Sequence, residues 1–597
     1  MEWSLYDKDI FLEPLIFSNN KSQLDIVKEV LDAIKEGYKI IFIKGACGTG
    51  KSAIALNLAR ELGKTSIVVP VKPLQKQYEE DYTKKYHILK NNNEKLKITV
   101  IDGRNNHYCP FDNTSCDARH LPCTIEIKEK SKELLEKYIK MNPFVKSENF
   151  ESIKDVRRKS IAPACPYWSP IIPNEVNYDL EDSEEIYYKG LKDKTFTIFK
   201  RKEGCGYYDQ FMAYKNSDVI IFNSKKYELE NIMDRKPKTE LEVIDECDSF
   251  LDNLSNEKKI NLDRLSFKLN EIQNKDLKEL TIEINDLIME IKKQNLSEEP
   301  VLIKNTKILE LLKYFLNNPC LFEETEEELS ASIYRVYEIA KYFENILNET
   351  YISLSRFKDE DIVTIVTVNL EKKLKEFLDK NKVFVMMSGT IHSEPVLRNV
   401  FGLKDFKIIE AETKLNGSIK KIKTGLENKF NYQFLNQHRD LYLKALSKCI
   451  EIAKKPILIQ IHSFYDLPTE FESSKYNVQN IKLRDNLKDE QEKYKKGELV
   501  QKFKNKEIDV LYSTKCNRGV DFPGDICNSI IFTKYPFPNL SSLFWKVLRK
   551  VNPGQFDLFY FDKADREYIQ WIYRGIRSKE DKIELLSPDL RVHTHLG

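Results

Sequence analysis

The stretch Gly45-Ala46-Cys47-Gly48-Thr49-Gly50-Lys51-Ser52 carries the most specific chemistry in the sequence. It follows an apolar run at 40–43 and opens an Ala- and Leu-rich segment at 53–62, the strand, loop and helix order that a phosphate-cradling loop needs. Gly45, Gly48 and Gly50 let backbone N–H groups, with that of Thr49 among them, curl around phosphate oxygens. The helix N-terminus adds favourable potential, Lys51 reaches the outer phosphates and Ser52 can ligate Mg²⁺.

Hydrolysis of a bound nucleotide also needs a second magnesium anchor and a group that orients the attacking water. Asp245-Glu246-Cys247-Asp248 ends an apolar strand-like run, so Asp245 is expected to hold Mg²⁺ and Glu246 to act as base. An isolated acidic strand end is more often a solvated turn; beside a phosphate loop on the same sheet, the functional reading prevails.

A third group lies near the C-terminus. Gln570, Arg574 and Arg577 occur in Gln-Trp-Ile-Tyr-Arg-Gly-Ile-Arg, whose spacing puts the two guanidiniums on one helical face. An arginine offered from a second lobe stabilises charge on the transferring phosphoryl group, worth about 10³ to 10⁵ in rate in related chemistry. The bland alternative is a basic surface helix. It weakens because Arg518-Gly519-Val520-Asp521-Phe522-Pro523-Gly524-Asp525 precedes it, where Gly519 allows close backbone approach and Asp521 can contact a hydroxyl or fix an arginine. Ser388-Gly389-Thr390 is a small polar tripeptide of the kind that links nucleotide state to another lobe.

These residues need scaffolds that place them at strand ends. Ile- and Val-rich runs alternate with helical segments in two regions, as in parallel-sheet α/β domains. The first should supply strands at 40–43, 66–71, 98–101, 219–222, 242–245 and 383–387, and the second at 457–461, 510–512, 529–533 and 558–561. Between 102 and 205 the first region is interrupted by a Cys- and Pro-containing stretch. A second interruption runs from about 252 to 361, where apolar residues at three- and four-residue spacing through 262–293 and 308–347 predict amphipathic helices. Residues 84–97 read as a loose loop.

The chain has 597 residues, too many for one core. With 96 basic against 94 acidic residues, net charge neither supports nor excludes nucleic acid. Residues 1–19 show no signal peptide and no apolar run is long enough to span a membrane, so a cytoplasmic protein is expected, in which eleven cysteines are not disulfides.

Taken in order, the motifs resemble the superfamily 2 helicases of the DEAH kind, specifically the Rad3/XPD iron-sulfur DNA helicases, over nearly the whole chain. The resemblance implies an α/β fold of two RecA-like parallel-sheet motor lobes, the first interrupted by an iron-sulfur insertion and an arch-like helical one. The implied segments are lobe 1 at 1–103, 206–252 and 366–412, the cluster insertion at 104–205, the arch at 253–365 and lobe 2 at 413–597. It implies ATP as cofactor, an adenine-reading role for Gln23, and a DNA-backbone segment at Pro70-Val71-Lys72-Pro73-Leu74-Gln75-Lys76-Gln77, with Lys72 in place of the usual Thr. Tyr535-Pro536-Phe537-Pro538 is similar to a family-typical turn. Departures are Cys247-Asp248 where Ala-His is frequent, and Tyr573 where Gly usually precedes the first Arg. Single-stranded and forked DNA are the implied partners, with repair or replication proteins, in a 5′ to 3′ translocase that acts as a monomer.

Five cysteines, Cys109, Cys116, Cys123, Cys165 and Cys205, fall in the first insertion or at its exit. They form no Cys-x-x-Cys pair, which favours a 4Fe-4S cluster on four widely spaced thiolates over structural zinc. By resemblance the first ligand is Cys109, after Arg104-Asn105-Asn106-His107-Tyr108, and the last is Cys205, before Gly206-Tyr207-Tyr208. Two of the remaining three complete the set; Cys123 and Cys165 are favoured, with Cys116 competing. Cys47, Cys247, Cys320, Cys449, Cys516 and Cys527 read as small buried hydrophobes. Tyr167, Trp168, Tyr207 and Tyr208 could stack bases, although core packing is the more ordinary use.

Overall fold

The computed structural model describes residues 2–46, 48–118, 121–124, 132–142, 164–176, 178–272, 277–294, 298–318, 327–412, 417–494, 497–514, 520–576 and 580–594. Its largest sheet has seven parallel strands, in the order Lys407–Glu410, Ile40–Lys44, Phe384–Ser388, Leu241–Asp245, Thr65–Val69, Val219–Asn223 and Ile98–Ile101. Helices cover both faces, so the central strands are apolar on both sides. Ile41, Ile43, Ile67, Val69, Val243, Val385 and Met387 point into one core, shared with the helices Gln23–Lys35 and Lys51–Leu62. The alternate residues Phe42, Val68, Ile220, Phe222, Ile244 and Met386 fill the other.

A second sheet of five parallel strands runs Ser418–Lys421, Lys582–Leu586, Ser529–Phe532, Ile457–Gln460 and Val510–Ser513. The two sheets fit the expected pair of RecA-like lobes. The strand expected at 558–561 does not form: those residues lie inside the helix Pro553–Ile572. Their aromatic run has strand propensity, but the wider spacing of the buried residues Phe556, Phe559, Ala564 and Tyr568 is helical. Asn552 caps the helix by accepting from Gln555 N, and Pro553 occupies the first turn, where a missing N–H costs nothing.

Both interruptions contain sheet as well as helix. The helices Leu262–Asn270, Lys278–Lys293, Ile308–Asn317 and Glu327–Phe343 accompany a four-stranded antiparallel sheet, Lys258–Asn261, Glu360–Thr367, Thr350–Phe357 and Val301–Leu302. One core holds Ile260, Ile288, Phe315, Ile352 and Val363 together, so the purely helical reading was incomplete. In the cysteine-bearing stretch, Ile171–Pro173, Thr195–Lys200 and Glu184–Lys189 form a small antiparallel sheet. The segment expected as a loose loop at 84–97 carries a short strand, Tyr86–His87, paired with Tyr6–Asp7. Among the described residues no helix is long and apolar enough to cross a membrane.

Candidate nucleotide site and lobe interface

The phosphate loop leaves the strand Ile40–Lys44 and enters the helix Lys51–Leu62 through Gly48 at φ 83° and Gly50 at φ 64°. Left-handed backbone at these two positions is what glycine supplies without cost. A Cβ built on Gly50 would come within 2.3 Å of Gln23 Nε2. The Lys51 ammonium donates to Gly45 O at 3.0 Å, folding the side chain back across the loop, and Thr49 Oγ1 donates to Ala46 O at 3.0 Å. Ser52 follows in the first helical turn.

Gln23 is 2% exposed and lies against this loop, where its amide donates to Thr49 O at 2.9 Å and Gly50 O at 3.2 Å. Its Oε1 accepts from Leu15 N at 2.9 Å. The amide therefore clamps the phosphate loop to the segment that precedes it.

Asp245 ends the strand Leu241–Asp245, separated from the phosphate-loop strand by Phe384–Ser388; it is buried and accepts from the Tyr78 hydroxyl at 2.9 Å. Burial, and then the adjacent Glu246 charge, raise its carboxyl to about 6, while Lys51 pulls the other way. Glu246 takes φ 53°, a left-handed conformation that a non-glycine residue adopts at some energetic cost. Tyr78 is a site residue that sequence reasoning missed, because a tyrosine inside a helical pattern reads as core.

From the second lobe, the helix Pro553–Ile572 meets the first. Gln570 Nε2 donates to Thr390 Oγ1 at 2.7 Å and to the Asp248 carboxylate. Asp248 also accepts from Ser388 Oγ at 2.8 Å and Thr390 Oγ1 at 3.3 Å. The acidic strand end, the Ser388-Gly389-Thr390 tripeptide and the C-terminal glutamine thus form one buried network. A Cβ on Gly389 would meet Gly45 O at 3.4 Å and Tyr573 Cε2 at 3.5 Å, so the phosphate loop, this glycine and the second-lobe tyrosine are packed together.

Arg574, next along, is held within its own lobe. Its Nη1 donates to Val520 O and to Asp521 Oδ1, both at 3.0 Å, and its carbonyl accepts from Phe522 N. Arg577 and Gly519 lie outside the described residues.

A second cluster with no counterpart in the sequence motifs lies one turn further along the helix Cys247–Asn253 and one turn back along Pro553–Ile572. Arg566 donates to Asp252 from Nη2 at 2.8 Å and Nη1 at 3.2 Å, and from Nε to Asp562 at 2.7 Å. Burial opposes ionisation of Asp252, yet Arg566 and Lys563 hold its carboxyl well below the usual carboxylate range. Short exposed-looking acid and base letters in a charge-rich sequence gave no signal for this cluster.

The five insertion cysteines share one buried cluster with Leu121 and Tyr208, against which Tyr167, Trp168 and Tyr207 pack. Arg104 donates to Cys123 Sγ at 3.2 Å and lies 4.4 Å from the Tyr207 ring centroid. The Cys165 thiol donates toward Cys123 and, with Arg104, lowers Cys123 to about 6 despite burial. Burial pushes the Cys116 thiol up to about 12. Among the described residues no three His, Cys, Asp or Glu side chains are arranged to hold a metal ion. The donor set nonetheless has the chemistry of a thiolate site, with the buried thiols gathered in one place and a cation beside one of them. Cys247, Cys449 and Cys527 are buried, as small hydrophobes should be; Cys47, Cys320 and Cys516 lie outside the described residues.

The segment 70–77, which the resemblance alone ties to a DNA backbone, enters the helix Lys72–Glu79. Its Lys72 is exposed and donates to Asn105 Oδ1 at 2.9 Å, whereas Gln75 is buried with its amide on Ile101 O at 2.9 Å.

Residues 446–596 match the helicase C-terminal domain model, and residues 16–148 match the model of the type III restriction enzyme res subunit. Among solved structures, an XPD helicase is 14% identical with a TM-score of 0.52, covering 96% of this chain and 97% of that one. An apo XPD structure is 14% identical with a TM-score of 0.53, at 96% and 98% coverage. Xpd4 of S. tokodaii is 13% identical with a TM-score of 0.51, at 96% of each chain. Among curated proteins none matches the sequence. The two models and the shared fold agree with the resemblance to Rad3/XPD-type helicases that the motifs carry.

Proposed function

We propose that this chain, an XPD-type helicase by its fold and its matched models, is a DNA helicase that couples ATP hydrolysis at the lobe interface to 5′ to 3′ translocation on single-stranded DNA and unwinding of forked duplex. The observation that carries the reading is the bond network from Gln570 of the second lobe to Asp248 and Thr390 of the first, at the end of the strand that presents Asp245 and Glu246. A nucleotide bound there has one lobe against its phosphates and the other against its outer edge, so hydrolysis and lobe movement are linked.

In this reading the backbone N–H groups from Gly45 to Gly50 cradle the phosphates and Lys51 neutralises the outer ones. Ser52 and Asp245 would hold Mg²⁺, which supplies charge stabilisation on the phosphoryl oxygens. Glu246 orients the attacking water and takes its proton. Arg574, held ready by Asp521, and Arg577 serve the transferring phosphoryl group from the second lobe.

Four cysteines, Cys109, Cys123, Cys165 and Cys205, would hold a 4Fe-4S cluster, with Cys116 the spare thiol. The donor chemistry supports it, since the thiols are buried together and Arg104 offsets thiolate charge at Cys123. A bound cluster would brace this insertion as a rigid element. The packing of Tyr207 and Tyr208 on the thiols makes them part of that brace rather than base-stacking platforms.

Displacement of a labelled strand from duplexes with 5′ or 3′ single-stranded tails tests the proposal. Unwinding of the 5′-tailed DNA substrate alone is the expected result. Unwinding confined to RNA duplexes would make the chain an RNA helicase, and turnover without displacement on any substrate would leave only an ATP-driven remodelling role.

A further inference from the structure

We propose that Asp252 and Arg566 form a latch that sets closure of the two lobes, a role that rests on the interface-hydrolysis reading above. Asp252 lies four residues after Asp248 on the helix Cys247–Asn253, and Arg566 lies four residues before Gln570 on the helix Pro553–Ile572. The two helices therefore make two rungs, the Asp248–Gln570 hydrogen bond and, one turn away, the bidentate Asp252–Arg566 pair at 2.8 and 3.2 Å. The pair is built rather than incidental. His392 Nε2 lies 3.1 Å from Asp252 Oδ1, Lys563 lies 3.6 Å from Asp252 Oδ2, and Asp562 braces Arg566 while accepting from Ser393 N at 2.7 Å.

An exposed ion pair holds two surfaces together only weakly. Here the side chains of Arg566 and Asp252 are 5% and 10% exposed, so losing one partner strands a buried charge. Separation of the lobes relieves that charge by admitting water, which turns the pair into a bias toward the closed state. The same helix carries Gln570 and, just past its end, Arg574, so a latched helix keeps both in register over the strand end of Asp245 and Glu246. Asp252 and Arg566 are positioning residues: the phosphate-loop residues can bind nucleotide in the open state, but hydrolysis needs closure.

A double-mutant cycle on the full chain, purified anaerobically, tests the latch with Asp252→Asn, Arg566→Gln and the double variant. Each single substitution should lower the kcat of DNA-stimulated ATP hydrolysis about 2- to 30-fold with KM for ATP little changed, the range of coupling that residues away from ligands exert. The double variant should be no slower than the worse single, and Arg566→Lys should recover part of the rate. Losses that multiply in the double variant, or a fall in thermal stability with kcat intact, would overturn the latch. Solution scattering gives a reading independent of hydrolysis. Both single variants should have a larger radius of gyration than the wild type, and equal radii would overturn the latch even if the chain hydrolysed no nucleotide, a result that would separately defeat the reading it rests on.

Discussion

Gln570 and Thr390 meet across the lobe boundary, the glutamine amide donating to the threonine hydroxyl at 2.7 Å while its other hydrogen serves Asp248. Residues 180 positions apart in sequence are thereby made one unit. Gln570→Ala removes both bonds and leaves Asp248 buried with fewer donors, so ATP turnover should fall by about 10- to 100-fold through kcat. Steady-state kinetics check this: an unchanged kcat would separate the glutamine from catalysis.

Lys51→Ala should abolish hydrolysis while single-stranded DNA binding persists. Glu246→Gln, which keeps the side chain's size but removes its basicity, should lower turnover by at least about 100-fold with nucleotide binding retained. Filter binding and ATP turnover on the same preparations measure both halves. Residual hydrolysis near the wild-type rate in either variant would relocate the site.

Most parallel strands of both sheets were legible because strands buried on two faces read as continuous apolar runs, as at Ile40–Lys44 and Ile457–Gln460. The edge strands Ile98–Ile101 and Val510–Ser513 were legible as well. The edge strands Lys407–Glu410 and Ser418–Lys421 and the internal strand Lys582–Leu586 were not, because they are short and carry Lys, Glu or Ser among their apolar residues, so that they resemble loops in composition. The helix Pro553–Ile572 was misread where four residues, Leu558 to Phe561, were weighed without the longer period around them. Lys51, Asp245 and Gln570 were legible as candidates because each sits in a short motif whose residue types suit phosphate and magnesium chemistry. Asp252 and Arg566 were not, since an ion pair between distant segments leaves no local pattern.

Gln23 spends both amide hydrogens on Thr49 O and Gly50 O and its oxygen on Leu15 N. A clamp of the phosphate loop serves every nucleoside triphosphate alike. Gln23→Ala should therefore reduce kcat/KM for ATP and GTP by the same factor, about tenfold, equivalent to loss of one to two buried hydrogen bonds. A loss confined to ATP would instead favour the adenine-reading role that the family resemblance implies.

Cys205→Ser should remove iron and the brown colour of anaerobically purified protein, whereas Cys116→Ser should leave about four irons per chain. Iron content and visible absorption decide this. Iron lost with Cys116 and kept with Cys123→Ser or Cys165→Ser would exchange the spare for a ligand.

Glu230 is fully buried. Burial opposes its ionisation, but Arg235 at 2.6 Å and Lys226 at 2.9 Å lower its carboxyl from 4.5 to about 2. A depressed carboxyl contributes stability that is present above the unfolded value and lost as pH falls through the folded one. That contribution is about 3 kcal/mol at neutral pH. Glu230→Gln should thus be less stable than wild type at pH 7, with the gap narrowing between about pH 4.5 and 2. Denaturant melts across that range check it, and a constant gap would show that charge is not the cause.

ATP turnover by the wild-type chain with and without single-stranded DNA tests the motor most directly. The account predicts a large rise in kcat when DNA is added, steepest at low salt because phosphate contacts release counterions. Turnover that DNA leaves unchanged would contradict it.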